Sequence, residues 1–272
     1  MSDPRLVPDR RRPGAWFVRV GGADQSFVDP SDPTWLEFDY VRRIADVIDQ
    51  LAAPAERLRV VHVGGAGLTL PRYVAATRPA SRQIVFEPDS DLTAAVRRVA
   101  PLPRRSGITV RALDGRRGVA ALADGRGDLV VVDAFEGARV PAELATVEWF
   151  GELARVLAAD GAVVMNLTDH SPFPWSRRVV AAVAAIWQPR RAALTLAAEP
   201  STLKGRRFGN LVVAAGARLD PAALESAAAR GPFPYRLLAN AELVAWLGGA
   251  RPFTDADGEC SPLPPGGPTT FR

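Results

Sequence analysis

Leu58-Arg-Val-Val-His-Val63, Gly64-Gly-Ala-Gly67 and Gln83-Ile-Val-Phe86-Glu87 decide how this chain folds. An apolar run of strand length ends in a glycine turn. A helical stretch follows, and a second strand ends on an acid. That is one βαβ unit. Glycines let backbone approach a ligand closely, and the following helix start offers free N–H groups. A carboxylate about 20 residues beyond such a turn is placed to accept both hydroxyls of a ribose. A glycine turn alone is more often a packing device, and Glu87 alone reads as a solvated strand end. Together, at this spacing, they point to a nucleoside-containing ligand.

Working outward, strands are expected near 58–63, 83–87, 108–112, 128–133 and 161–167. Helices are expected near 69–77, 90–99, 116–122, 144–158 and 175–187. Near-continuous apolar strands such as Leu129-Val-Val-Val132 belong in a sheet covered on both faces. The alternation predicts an α/β fold with a doubly wound, mostly parallel sheet. Ala192–Ala198 and Leu211–Ala215, joined by residues 199–209, read as a C-terminal antiparallel hairpin on that sheet. Before it, Trp16–Val20 and Gln25–Val28 flank the turn Gly21-Gly-Ala-Asp24 and form a small N-terminal β-hairpin. Thr34 and Glu37 make a capping box. Leu36, Tyr40, Val41, Ile44, Val47, Ile48 and Leu51 then fall at helical spacing. After residue 216, helices are expected at Pro221–Ala229 and after Asn240, the latter with Leu243, Val244 and Trp246 as its apolar face. The organisation read from these signals is a disordered tail (1–13), a hairpin plus helix (14–54), a nucleoside-binding α/β domain (55–216), C-terminal helices (217–260) and a second disordered tail (261–272).

Composition sets the outer bounds. The chain has 272 residues and 47% hydrophobic residues, enough for a sizeable core. No apolar run is long enough to cross a bilayer, and Met1–Arg12 lacks the apolar centre of a signal peptide, so a cytoplasmic location and no membrane partner are expected. Cys260 is the sole cysteine, which excludes an internal disulfide and a cysteine metal cluster. With two histidines besides, no metal site of known spacing can be assembled. The net charge is +4, and Lys204 is the only lysine. Arg10-Arg-Arg12 is the densest basic cluster. Being short and free of interleaved aromatics, it reads as a solvated tail, and no nucleic-acid partner is expected.

Ligands of open α/β sheets bind at the carboxyl ends of the strands. The residues there are Gly64, Gly65 and Gly67, then Glu87, Asp114, Asp133 with Glu136, and Asn166 with Asp169. Singly, Asp114 reads as a helix cap and Glu136 as a solvated acid. As a row, these acids suit a ribose, an adenine amino group and a cationic amine. His62 reads as a core residue and His170 as a plain loop histidine. Neither a Gly-x-Ser-x-Gly elbow at a strand end nor a phosphate loop occurs, which argues against those hydrolases and against P-loop enzymes.

From Trp16 to Asp257 the chain resembles the spermidine synthases, the aminopropyltransferases of the class I S-adenosylmethionine-dependent methyltransferase fold. The likeness rests on Gly21-Gly-Ala-Asp-Gln-Ser26, Val63-Gly-Gly-Ala-Gly67 through Arg72, Phe86-Glu-Pro-Asp89, Leu113-Asp-Gly115, Asp128-Leu-Val-Val-Val-Asp-Ala-Phe-Glu136 and Phe253-Thr-Asp-Ala-Asp257. It implies that Gln25, Gly64, Gly65, Gly67, Glu87 and Asp114 bind S-adenosylmethionine or its decarboxylated form. It implies too that Asp133 and Glu136 serve catalysis on a small amine such as putrescine, in polyamine biosynthesis, without a metal and in a homodimer. The chain departs from the family pattern in four places. Gly67 stands for an aspartate that grips the donor's amino group, Tyr73 for a glutamate, and Glu136 for a second aspartate. The family's Tyr-Gln pair is not evident around Phe38–Tyr40. A methyltransferase, with Arg72 or Arg139 accepting the methionine carboxylate, and a non-catalytic nucleoside-binding paralogue remain alternatives. A NAD-linked dehydrogenase is a poorer fourth.

Overall fold

A computed structural model describes residue 3 and residues 5–232, 235–265 and 267. In chain order the elements are β1 (Leu6–Pro8), β2 (Trp16–Val20), β3 (Ala23–Val28), α1 (Asp39–Leu51), β4 (Arg59–Val63), α2 (Thr69–Thr77), β5 (Arg82–Phe86), α3 (Ser90–Val99), β6 (Ile108–Arg111), α4 (Gly115–Ala120), β7 (Gly127–Val132), α5 (Val147–Val156), β8 (Leu157–Asp169), α6 (Pro174–Trp187), β9 (Ala193–Ala198), α7 (Pro200–Leu203), β10 (Gly209–Gly216), α8 (Pro221–Arg230), β11 (Arg236–Ala239) and α9 (Asn240–Leu247).

Among the described residues the main sheet runs in the order β11-β9-β10-β8-β7-β4-β5-β6. The ladder from β6 to β8 is parallel, and β10, β9 and β11 join antiparallel to their neighbours. The chain leaves β4 toward β5 and β6 and then returns to β7, so the order reverses between β4 and β7. That switch point opens a crevice above the strands' carboxyl ends. Strand alternation decides which helix each side chain meets. Val61, Val63, Val130, Val132 and Val163 pack with α5 and α6, whereas Val60, Leu129, Val131 and Val164 pack with α1 and α2. Burial on both faces is why these strands are apolar without a break.

Several expectations at the edges need correction. Leu6–Pro8 is not a tail: it pairs with β2, and Leu6 and Val18 pack on Leu92, Ala95 and Val96 of α3. Arg11 and Arg12 are tied to Glu37 and Asp29, so that basic cluster is not a free arm. No capping box starts α1. Asp29 and Asp32 accept the N–H groups of Ser31, Asp32 and Thr34, which holds the segment in turns until Asp39. On α9, Leu243 is buried but Val244 faces solvent, because the inward face carries Leu243, Trp246 and Leu247 at i, i+3 and i+4. The edge of the sheet is β11, four residues that local propensity does not mark and that pairing with β9 makes a strand. Ser261, the first residue of the expected terminal tail, is buried and accepts the Val140 N–H, while residues 266 and 268–272 lie outside the described residues. No helix is long and apolar enough to cross a membrane among the described residues.

Candidate active site

The crevice at the switch point is a cleft of about 460 Å³. Its floor is the turn after β4. Gly64 has φ +94°, and a Cβ there would lie 2.2 Å from the Asp133 carbonyl oxygen, so only glycine fits. Glu87, at the end of β5, accepts the N–H groups of Gly65 (2.9 Å) and Ala66 (3.0 Å) on one carboxylate oxygen and that of Asp89 (3.0 Å) on the other. The carboxylate is thereby aimed across the turn. Two oxygens carry about four acceptor sites in all, so beside these three bonds about one site, on the oxygen that accepts Asp89, stays open to a ribose hydroxyl.

Gln25, Gly64, Gly65, Glu87, Asp114, Asp133 and Glu136 all line this one cleft. Gly67 is not among its lining residues. A Cβ on Gly67 would come 2.7 Å from the Ser26 hydroxyl, which itself bonds Thr69 at 2.9 Å. Ser26 of β3 thus occupies the direction in which an aspartate at this position would project. Asp114 caps α4 by accepting the Arg117 N–H at 2.8 Å, while still lining the cleft. Gln25 donates to the Gly137 carbonyl and anchors the loop after β7 to the small sheet. Glu136 is exposed, and its carboxylate has no partner among the described residues.

Asp133 is the centre of the site. One carboxylate oxygen accepts Asn166 Nδ2 at 3.0 Å and the other accepts the Tyr40 hydroxyl at 3.3 Å. Asn210 Nδ2 in turn donates to Asn166 Oδ1 at 3.0 Å. Burial pushes the Asp133 carboxyl up to about 6, against the two hydrogen bonds that favour its ionised form. Burial and the facing carboxylate also raise Tyr40 well above an ordinary phenol, so it remains a donor.

A second chamber of about 290 Å³ adjoins the cleft and shares Gln25, Tyr40 and Phe135 with it. Asn166 and Asn210 line it, as do Asp39, Glu199 and Tyr235. The buried Thr202 hydroxyl in its wall has no partner among the described residues. Asp133 therefore stands between two compartments, in contact with residues of both.

Tyr40, Asn210 and the second chamber were not legible from the sequence. Tyr40 has the spacing of a core-facing helix residue. Asn210 meets Asn166 only through the β10–β8 register, which pairs Asn210 with Thr168 and Val212 with Asn166. Asp169, counted on the rim, instead turns away: it is fully buried and accepts the His170 and Ser176 N–H groups at the start of α6. His62 is buried against Gln83 at 2.9 Å and lowered to about 4 by desolvation. His170 is half exposed and lines neither compartment. Arg72 and Arg139 do not face the donor cleft: Arg72 is spent on the Ala100 and Pro101 carbonyls, and Arg139 on those of Cys260 and Ser261.

No protein-family model matches the chain, and no curated protein matches it. Solved structures do. A probable spermidine synthase from Corynebacterium glutamicum superposes with a TM-score of 0.83 at 28% identity, over 92% of each chain. Human methyltransferase-like protein 13 in complex with SAH gives a TM-score of 0.52 at 17% identity, over 79% of this chain and 93% of that one. Spermidine synthase from Thermotoga maritima gives 0.50 at 17% identity, over 78% of this chain and 71% of that one. The architecture is thus the class I S-adenosylmethionine-dependent methyltransferase fold. Within that fold, the chain is similar to a probable spermidine synthase over most of its length.

Proposed function

We propose that the protein is a transferase that moves an aminopropyl group from decarboxylated S-adenosylmethionine to a small amine such as putrescine. The structural neighbours are transferases or carry an S-adenosyl by-product, which supports a sulfonium-nucleoside donor. The choice of donor rests on one observation, the charge of the cleft. Glu87, Asp114, Asp133, Glu136 and Glu143 line it, and the arginine in its wall, Arg116, is already held by Asp255 and the Glu143 carbonyl. A donor bearing a methionine carboxylate would enter an acidic site that offers no free cation among the described residues, at a cost of several kcal/mol if that carboxylate is buried unpaired. The decarboxylated donor carries only positive charges. This counts against the methyltransferase alternative, whose candidate partners Arg72 and Arg139 are engaged elsewhere.

In this reading a ribose hydroxyl bonds the open site on Glu87, and Asp114 faces the adenine amino group. The acceptor amine lies in the second chamber with its nitrogen toward Asp133. Asp133 takes a proton from that nitrogen. The freed lone pair attacks the carbon next to the sulfonium, the carbon–sulfur bond breaks, and its electrons neutralise the sulfur, releasing methylthioadenosine. Glu136, at the exposed rim, adds negative charge near the entering ammonium. Positioning and charge stabilisation supply most of the acceleration. Incubation with the decarboxylated donor and putrescine is expected to release methylthioadenosine. No release with putrescine or a series of other amines would refute the reading.

Two variants probe its parts. Glu87→Ala is expected to weaken methylthioadenosine binding at least tenfold by calorimetry, and an unchanged affinity removes Glu87 from the ribose role. Asn210→Ala frees the Asn166 amide to turn. Asp133 then loses a donor that favours its ionised form, so the midpoint of the kcat/KM profile, which reports the free protein and is expected near pH 6 in the parent, is expected to rise. kcat itself is expected to fall about tenfold, with donor KM unchanged. An unmoved profile would assign Asn210 a purely structural part.

A further inference from the structure

Away from the cleft, a groove of about 220 Å³ lies on the α5 face of the sheet, where β4, β5 and β6 run side by side. The short helix α4 covers only part of this face: its Gly118 sits on Phe86, near the carboxyl end of β5. The groove is lined by Arg59, Arg82, Arg111 and Arg126, over a floor that includes Ile84 and Thr109, and among the described residues no acid lines it.

Strand register puts these groups together. Arg59 pairs with Arg82 across the parallel ladder, and Ile84 with Thr109 and Phe86 with Arg111 across the next. Because side chains alternate, Arg59, Arg82 and Arg111 leave the sheet on one face. Like charges set directly opposite are unfavourable in a sheet. One acid answers part of this charge: Asp128 holds Arg59, which also donates to the Gly125 carbonyl. Arg82, Arg111 and Arg126 have no hydrogen bond or ion pair from their side chains among the described residues. One guanidinium is thus fixed, and three with free donors line the same small concavity.

We propose that this groove binds a compact, multiply charged phosphate anion of the size of pyrophosphate. Planar guanidinium groups match phosphate oxygens two at a time. An anion here relieves the Arg59–Arg82 repulsion, and the volume suits a small ligand better than a polymer track. The site is independent of the transferase reading, because the arginines lie outside both compartments of the candidate active site.

The test is calorimetric titration of the full chain with sodium pyrophosphate at 50 and 150 mM salt. Saturable one-to-one binding is expected, weakened at least tenfold by Arg82→Gln/Arg126→Gln. Arg230→Gln/Arg251→Gln, which removes the same charge from exposed positions elsewhere, is expected to stay within twofold of the parent. Methylthioadenosine binding is expected to be unchanged in both. No pyrophosphate binding, or equal loss in the two double variants, would overturn the proposal. Binding of a 20-nucleotide RNA without binding of pyrophosphate would overturn it in favour of a nucleic-acid surface.

Discussion

Asp133→Asn is expected to lower kcat by about 10²–10⁴-fold, the range typical of a lost general base, while leaving donor affinity within a few-fold. It is also expected to make the free protein more stable at neutral pH. Burial lifts the Asp133 carboxyl from 3.8 to about 6, so the folded state holds its proton more tightly than the unfolded chain does. Stability of the parent therefore falls as pH rises through this window, and above it the ionised carboxylate costs roughly 1–3 kcal/mol. Asparagine is nearly isosteric, keeps an acceptor oxygen for Asn166, meets the Tyr40 hydroxyl oxygen with its NH2 as donor, and carries no charge. The gain is expected to be present at pH 8 and to vanish near pH 4, where Asp133 is protonated in the parent. Denaturation midpoints at the two pH values check this, alongside the rate. A variant that is less stable at pH 8, or that keeps its activity, would remove Asp133 from the role of buried base.

Gly64→Ala is expected to cost about 3–5 kcal/mol, combining a left-handed backbone with overpacking. The added Cβ meets the Asp133 carbonyl oxygen at 2.2 Å, and that atom belongs to backbone at the end of β7, so neither side yields easily. Gly125→Ala is the control: its φ is +63°, but nothing lies within 4 Å of a Cβ there. That variant is expected to lose only about 1–2 kcal/mol. Urea midpoints of the two proteins separate steric from conformational cost, and equal losses would show that the turn has room to move. Where the Gly64 variant remains folded, loss of methylthioadenosine binding is expected as well, because the turn and Asp133 shift together.

The parts of this site that sequence makes legible are those written locally. The glycine turn, Glu87 at the end of the next strand and Asp133 at the end of β7 each follow from strand length and spacing, and the structure brings them to one cleft. The expected bounds of α2 and α3 agree with those observed, since each is a short apolar pattern between clear breaks. What sequence does not carry is pairing between distant segments. Tyr40 at helical spacing is indistinguishable from a core residue until α1 is seen to start beside Asp133. The Asn210–Asn166 contact exists only once two antiparallel strands are in register. The space that closes Gly67 against a side chain is supplied by Ser26, 41 positions earlier. Arg72 and Arg139 looked available because arginine is long, and only packing shows which carbonyls they serve.

Calorimetric titration of the free protein with decarboxylated and ordinary S-adenosylmethionine, side by side, is the most direct check on an acidic cleft made for an adenosyl donor without a carboxylate. The decarboxylated form is expected to bind at least tenfold more tightly, a difference of about 1.4 kcal/mol. Tighter binding of the carboxylated form, or no binding of either, would contradict it.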